Sequence, residues 1–375
     1  MTDTKIYDAY SKALPIYEDE NLTIVRYDLI TRKQIVDLDK RDALVLVAVS
    51  PLEVHGDYLP LGSDFIESLL MNELIKSMLK ERKKNRYFTI VEVPPLPIGT
   101  GSGRGLVGTI NIKHATFRNL MVQYLEGIVK AGFRRILMTS VHHGNIHAYA
   151  MEEAALKVMK KYKKEGVRIV SPLNWIVKKI YVDNPKNTWA SVVEKLGQSP
   201  LSEEEYQALF NDHHASIMEI SFVKKINPNF VDPMYKTCKP KIEGIIQGLK
   251  PLIIPDWLKK ANKEGCGYNG HPARADSRNW YVLYESLVKD VGEEFIDALY
   301  DKSDLEFKKY TKSFMWPIIF LRTNWKWRGF YLPLLICILC LLYFPLFPWT
   351  LIPIISFIIY TLIRAYSIVN ALKQD

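Results

Sequence analysis

The chain has 375 residues, of which 48% are hydrophobic and 24% charged, so it can bury an enzyme-sized core and a disordered protein is excluded. Its net charge is +9, but no recognition motif accompanies the basic residues, and we expect no binding to nucleic acid. Of its four cysteines, Cys337 and Cys340 lie within an apolar tail, and Cys238 and Cys266 are far apart in sequence without CxxC spacing. This distribution argues against a zinc knuckle or a disulfide framework and predicts reduced thiols.

Short apolar runs alternate with amphipathic stretches of helical length through most of the chain. The predicted strands, rich in Val, Ile and Leu, are 43–49, 88–93, 135–139, 167–170 and 218–223. The predicted helices are 65–82, 115–131, 146–164, 203–210 and 278–300, and the predicted loop excursions are 176–200 and 227–256. This alternation predicts an α/β fold, a three-layer α/β/α sandwich with a mostly parallel central sheet.

The composition changes sharply towards the C-terminus. Residues 330–363 contain no charged side chain and are divided by four prolines. One helical crossing needs about 20 apolar residues, so this run predicts a transmembrane helical hairpin. Basic residues on both sides, Lys326, Arg328, Arg364 and Lys373, predict that both ends face the cytoplasm. The alternative is a buried helical pair that docks on the rest of the protein.

Three parts are therefore predicted: a folded domain at 1–310, a basic and aromatic juxtamembrane linker at 311–329, and a membrane hairpin with a short cytoplasmic tail at 330–375. On this interpretation the protein is anchored in a membrane through contacts between lipid and residues 330–363. The folded domain then faces the cytoplasm.

The densest concentration of potential metal ligands is PLEVHGDYLPLGSD, directly after the first predicted strand. Glu53 and His55 share one face of an extended chain, because side chains at i and i+2 point the same way. Asp64 follows a turn and is predicted to cap the next helix. The segment thus presents three oxygen and nitrogen ligands to one small volume. The alternative is a solvated loop with a capping Asp and an exposed His.

Two further clusters carry histidines. In SVHHGN, His142 and His143 fall at a strand-to-helix turn, the expected active-site edge of an α/β sheet, and in DHHASIMEIS, His214 precedes Glu219 by five residues. Six of the eight histidines lie in or beside the three clusters. Such a mixed nitrogen and oxygen set suits zinc or manganese. Two ions bridged by one carboxylate would activate water for hydrolysis of a C–N bond.

The order of these motifs resembles the creatininase family. ExHGxxLPLGxD is followed by GTI, by a GFRRI strand ending in HxGN, by HAxxxE and by a closing GYNGHPARAD loop. The resemblance implies metal ligands at Glu53, His55, Asp64 and His142, with Asp64 as the bridging carboxylate. Creatininase has a Glu two residues after the last of these histidines, where this chain has Gly144, and Glu219 is expected to replace it.

The resemblance also implies an activity. The expected protein is a metal-dependent amidohydrolase that cleaves a cyclic amide or a formamide-type small molecule. It would hold two divalent ions per subunit, Zn or Mn with Fe as a third candidate, and form a homo-oligomer, commonly a hexamer. His214 is similar to the histidine that acts on the scissile amide as proton donor or carbonyl polariser, and His143 is the second candidate catalytic residue.

Several positions depart from the family pattern. Ser140 replaces an Asn, His143 a Gly and Ile220 a Thr, and the usual His near Arg104 is absent. Arg104 and His143, if they face the pocket, favour an anionic or polyhydroxylated substrate. Two other functions therefore stay open: a metal-dependent lyase or isomerase acting on a sugar-like ring, and a non-catalytic membrane-anchored binding module that retains the fold.

Overall fold

A six-stranded sheet forms the centre of the computed structural model, which describes residues 13–82, 87–101, 106–242 and 267–312. The sheet order is β1-β2-β4-β3-β5-β6; β1 pairs antiparallel with β2, and every other pairing is parallel. The mostly parallel central sheet is therefore confirmed. The strands are β1 (Ile16–Asp19), β2 (Leu22–Arg26), β3 (Leu44–Ala48), β4 (Phe88–Glu92), β5 (Arg135–Thr139) and β6 (Arg168–Val170).

Helices cover both faces of this sheet. In chain order they are α1 (Arg32–Asp37), α2 (Ser63–Arg82), α3 (His114–Lys130), α4 (Asn145–Lys161), α5 (Leu173–Tyr181), α6 (Pro185–Lys195), α7 (Glu203–Phe210), α8 (Ile217–Ile226), α9 (Trp280–Tyr300) and α10 (Asp304–Phe307). In β3, Val45 and Val47 belong to the core shared with α3 and α4, whereas Leu44 and Leu46 pack in the core shared with α2 and α9. Strands covered on both faces need apolar residues at every position, which explains why the sequence shows no alternation.

The predicted strand at 218–223 is wrong, because this segment lies inside α8. Asp212 stabilises the start of the helix: its two carboxylate oxygens accept hydrogen bonds from the N–H groups of Ile217 and Met218, each at 2.8 Å. A short run rich in Ile, Phe and Val fits a buried helix as well as a buried strand, and composition alone does not separate the two.

The predicted loop at 176–200 is also wrong in part, since it contains the end of α5 and all of α6. Asn184 caps α6 through its side chain, and Pro185 occupies the first turn, where its missing N–H costs nothing. Trp189 of this helix is fully buried and anchors it against α9. The described part of the second predicted loop, up to residue 242, contains two short 3-10 turns, Pro228–Phe230 and Pro233–Thr237.

No helix in the described part of the chain is both long and apolar enough to cross a bilayer, and this finding corrects the predicted membrane anchoring. A crossing takes about 20 apolar residues. The helices α2 and α9 reach 20 and 21 residues, but both carry charged side chains and pack against the sheet. The membrane-anchored location is therefore withdrawn. The hairpin predicted at 330–363 lies outside the described residues, and the division into domain, linker and tail stays a prediction.

Candidate metal centre

The predicted ligands meet at the carboxyl ends of β3 and β5, which are neighbouring parallel strands. Glu53 and His55 lie in the loop after β3, Asp64 in the first turn of α2, His142 directly after β5 and Glu219 in the first turn of α8. All five residues are buried, with 5% exposure at most. Because an isolated buried charge is costly, five ionisable groups this close together must be compensated by one another or by a bound ion.

Asp64 is shared by two groups of potential ligands. One group is Glu53, Asp64 and His142, the other is His55, Asp64 and Glu219, and the ligand atoms of each group lie within 4.8 Å of one another. His142 Nδ1 lies 3.0 Å from Glu53 Oε2 and 3.1 Å from Asp64 Oδ2. His55 Nε2 lies 3.2 Å from Asp64 Oδ1 and 3.6 Å from Glu219 Oε2. The two oxygens of Asp64 thus face different groups, an arrangement that suits a carboxylate shared by two cations.

The hydrogen bonding at His55 fits a cation. Its Nδ1 lies 2.9 Å from the carbonyl oxygen of Glu53, which can only accept, so Nδ1 carries the proton and Nε2 points at Asp64 and Glu219. In the described part of the chain, His55 Nε2 and both oxygens of Asp64 are buried without a directed hydrogen bond. Atoms with lone pairs that converge in this way fit a metal ion, and the donor set suits zinc or manganese.

The pKa values show how strongly this centre favours positive charge. Burial alone lowers the pKa of His142, but Glu53 and Asp64 raise it to about 10. Burial likewise opposes the charge on His55, yet Asp64 and Glu219 hold the pKa of His55 well above its ordinary value. Burial raises the pKa of Asp64, but His55 and His142 hold that pKa well below its usual range. The carboxylates therefore stay ionised and attract a cation.

Gly144 explains how His142 fits. A Cβ atom at this position would collide with the His142 ring, so the close approach of the backbone needs a glycine. That Glu219 takes the place of the Glu found here in creatininase stays a prediction. Glu219 belongs to the group of His55 and Asp64, not to that of Glu53 and His142. Each group thus offers three protein ligands, the number typical of catalytic metal sites that keep a position open.

His214 lies against the centre and is held from two sides. Its Nε2 lies 2.8 Å from the carbonyl oxygen of Val54 and must donate to it, so in the neutral ring Nδ1 is the nitrogen that exchanges a proton. Its backbone exchanges hydrogen bonds with Asn269 in the GYNGHPARAD loop, at 2.9 and 3.0 Å. The His214 ring is 4.4 Å from that of His55, and it forms a third potential ligand group with Glu53 and His55.

His143, the second predicted catalytic residue, is half-buried beside the centre. Its ring packs edge-on against Tyr181 with centroids 6.5 Å apart, and Tyr181 also contacts the ring of His213 at 5.2 Å. Burial lowers the pKa of His143 despite the nearby charges of Glu219 and Asp64. An uncharged imidazole at this place can donate one hydrogen bond and accept one. Arg104 lies outside the described residues.

Two residues of the site were missed from the sequence. Asp212 caps α8 and also accepts a hydrogen bond from the hydroxyl of Tyr284 at 2.8 Å, so it fixes the segment that carries His214 and Glu219. Glu67 lies fully buried on α2, one turn after Asp64. The signal for Glu67 was its position on the buried stripe of α2, with Asp64, Met71, Leu74 and Met78.

Replacing Asp212 should change the pH dependence of stability. Burial raises the pKa of Asp212 from 3.8 to about 6, although Tyr284 opposes the shift. Its contribution to stability is therefore complete below about pH 4 and is lost as the pH rises through about 6. Relative to Asp212→Asn, which does not titrate, the wild type should lose about 3 kcal/mol of unfolding free energy between pH 4 and 7, measured by urea unfolding. A difference that does not vary with pH would contradict the raised pKa.

The fold and the site together define an α/β protein with a buried carboxylate and imidazole centre at the carboxyl edge of a mostly parallel sheet. The family model Creatininase, described as creatinine amidohydrolase, matches residues 28–295. This chain belongs to the creatininase family, whose members are metal-dependent amidohydrolases. A search of curated protein sequences finds no match to this chain.

Solved structures of similar fold agree with this assignment. A creatinine amidohydrolase (creatininase) aligns with a TM-score of 0.52 and 15% identity over 74% of this chain and 98% of its own. A creatinine amidohydrolase homologue from Bacteroides fragilis NCTC 9343 gives 0.50 and 18% over 76% and 99%. A creatininase variant of the Zn-Zn type gives 0.52 and 14% over 76% and 100%, and another creatininase structure is described with Mn. At these identities the structures support the fold alone.

Proposed function

We propose that this chain is a metal-dependent hydrolase that cleaves a C–N bond in a cyclic amide or formamide-type small molecule. The observation that carries the proposal is the convergence of two ligand groups on the two oxygens of Asp64. On this proposal Glu53, Asp64 and His142 hold one divalent ion, and His55, Asp64 and Glu219 hold a second. Zinc and manganese are the candidate ions, with iron as a third.

Different residues of this chain would bind the ions, exclude water and transfer the proton. When bound, the ions supply a Lewis acid for the substrate carbonyl and lower the pKa of a bound water. The chain keeps the centre dry by burying every proposed ligand, which strengthens each electrostatic interaction in it. His214, whose Nε2 proton is held on the Val54 carbonyl, would first accept at Nδ1 the proton that the attacking water gives up and would then donate that proton to the leaving nitrogen. Asp212 and the Asn269 backbone hold this ring in register with the ligands.

The substrate is constrained by the residues around the centre rather than by the proposed ligands. His143 stands where the family pattern has a glycine, and its ring packs edge-on against Tyr181, so the surroundings of the centre differ from those expected for creatinine hydrolysis. Because the pKa of His143 is lowered, its ring presents a donor and an acceptor rather than a charge. A ring that offers one donor and one acceptor suits hydroxyl or amide groups better than a carboxylate. His143 therefore favours the polyhydroxylated substrate over the anionic one. The homo-oligomer stays a prediction.

Removing the metal should abolish the proposed activity. We expect protein treated with a chelator to hydrolyse none of a panel of lactams, formamides and creatinine, and added Zn²⁺ or Mn²⁺ to restore turnover of at least one. The same panel includes cyclic ketones and ketoses to test the alternatives. Turnover of a ketose without C–N cleavage would favour a lyase or isomerase. Bound metal without turnover of any panel member would favour the non-catalytic binding module. Turnover of an amide by metal-free protein would overturn the proposal.

A further inference from the structure

Three buried serines connect the segments that carry the proposed ligands of one ion. Ser50 lies shortly after β3, Ser68 lies on α2, and Ser140 directly follows β5. The hydroxyl oxygen of Ser50 lies 2.7 Å from that of Ser68 and 2.7 Å from that of Ser140. Ser50 and Ser68 have 0% exposure and Ser140 has 5%. Because a buried hydroxyl without a partner is costly, these contacts stabilise the three hydroxyls where they meet.

The hydrogen bonds of these serines run in one direction. The hydroxyl of Ser68 donates to the backbone carbonyl of Asp64 at 2.6 Å and accepts from the N–H of Val141 at 3.2 Å. A hydroxyl has one proton, and that of Ser68 is used on Asp64, so Ser68 must accept from Ser50. For the same reason Ser50 must accept from Ser140. Each hydroxyl thus has a defined role as donor and as acceptor.

His147 supplies the first proton to this series. Its Nε2 lies 3.3 Å from the hydroxyl of Ser140, whose own proton is used on Ser50, so Nε2 must donate. Its Nδ1 accepts from the N–H of Thr100 at 3.4 Å, and its ring stacks on Phe117 with centroids 4.7 Å apart. His147 is fully buried, and the proposed function gives it no role. We call these three serines and His147 the serine network.

The serine network and one ligand group use the same three segments. Serines and proposed ligands pair by segment: Ser50 with Glu53, Ser68 with Asp64 and Ser140 with His142. The second group takes Glu219 from α8, which is a different segment. A buried network whose members are all satisfied is rigid, so it holds the segments that it joins at a fixed spacing.

We propose that the serine network positions the segments of Glu53, Asp64 and His142 and thereby tightens binding of the ion that these three ligands hold. The network acts through the backbone, at the carbonyl of Asp64 and the N–H of Val141. Groups that position ligands from outside typically contribute about 10–100-fold to metal affinity. Since the family pattern has an Asn in place of Ser140, the network depends on a departure of this chain from that pattern. The inference rests on the proposed function, because it requires a metal in this group.

The test measures metal affinity by titrating Zn²⁺ and Mn²⁺ into metal-free protein in competition with a chromophoric chelator. Ser50→Ala removes the central hydroxyl and should weaken the affinity for one ion about 10-fold, the low end of the range for positioning groups. The visible absorption of the Co²⁺ form, which reports the geometry of the ligands, should change as well. Ser286→Ala is the matched control and should change neither readout. Ser286 is also buried, but it lies on α9, which carries no proposed ligand.

His142→Gln identifies the ion that the network serves. This variant removes one ligand of the group formed by Glu53, Asp64 and His142. If the network acts on that group, adding Ser50→Ala to His142→Gln should weaken metal binding no further, because two changes at one site are not additive. A further loss of about 10-fold in the double variant would overturn the assignment of the network to this group.

A merely structural role predicts a different pattern. Ser50→Ala would then lower the melting temperature of the metal-free protein but leave both affinities and the Co²⁺ absorption as in the wild type. That result would overturn the positioning role and leave the proposed function intact. Should Ser50→Ala fail to fold, Ser140→Ala interrupts the same network and gives the same comparison. A wild-type chain that binds neither ion would overturn both the positioning role and the proposed function.

Discussion

Asp64→Asn is expected to release the metal from both ligand groups and to reduce turnover to background. The substitution keeps the volume of the side chain but removes its charge and places an amide N–H₂ against either His55 or His142, which lie 3.2 and 3.1 Å from the two oxygens. Since outer-sphere changes alone cost about 10–100-fold in metal affinity, the loss of the shared ligand should exceed about 100-fold. Metal content after gel filtration and turnover of the best panel substrate are the two measurements.

Asp57→Asn is the matched control for this experiment. Asp57 lies in the same loop as His55 but is exposed, so its substitution should leave metal content and turnover unchanged. A folded Asp64→Asn protein that retains its full metal content would show that the two groups do not bind through Asp64. The proposed metal centre, in which both groups share Asp64, would then be wrong.

His214→Ala is expected to keep its metal while losing about 10²–10⁴-fold in turnover, the usual contribution of a general acid or base. The reason is geometric: the Nε2 proton of His214 is engaged by the Val54 carbonyl, so Nδ1 is left to serve the substrate. The readouts are kcat with the best panel substrate and metal content on the same sample. His114→Ala, which alters a histidine paired with Glu153 at 3.4 Å outside the three clusters, should affect neither.

The competing role for His214 gives a distinct result. Its ring nitrogen also lies within 4.8 Å of ligand atoms of Glu53 and His55, so it could serve as a ligand. In that case the Ala variant should lose metal and turnover together. Loss of both would reassign His214 from proton transfer to metal binding.

Much of the fold could be predicted from the sequence because its central strands are buried on both faces. The apolar runs that form β3, β4, β5 and β6 could be recognised as strands without knowing which strands they pair with. The edge strand β1 and its neighbour β2 were missed, since IYED and LTIVR are short and contain polar residues that are not buried. The sequence of α8 predicts a strand because Asp212, which accepts hydrogen bonds from the first N–H groups of the helix, lies five residues before Ile217, too far for a local capping signal.

The candidate site, like the fold, could be predicted from the sequence only in part. Glu53, His55, Asp64 and His142 were predicted because their motifs place ligands at strand ends. The sequence could not assign Glu219 to one ligand group rather than the other, because that depends on how α8 packs against α2. Glu67 looks like a solvated charge within FIESLL until the neighbouring helix covers it. The collision that forbids a side chain at Gly144 is likewise visible only in three dimensions.

The ligands of the proposed centre come from three segments, around residues 53–64, 142 and 219, and this spacing ties metal uptake to folding of the whole domain. No unfolded or partly folded chain presents all three segments together, so an ion bound there acts as a ligand of the native state alone. Mass action then adds about 2.7 kcal/mol to the native state when free metal stands at 100 times its dissociation constant. The contacts that close the site join residues far apart in sequence, and such contacts slow folding. Because the ion binds the native state alone, the supply of metal then helps to determine how long the native chain persists.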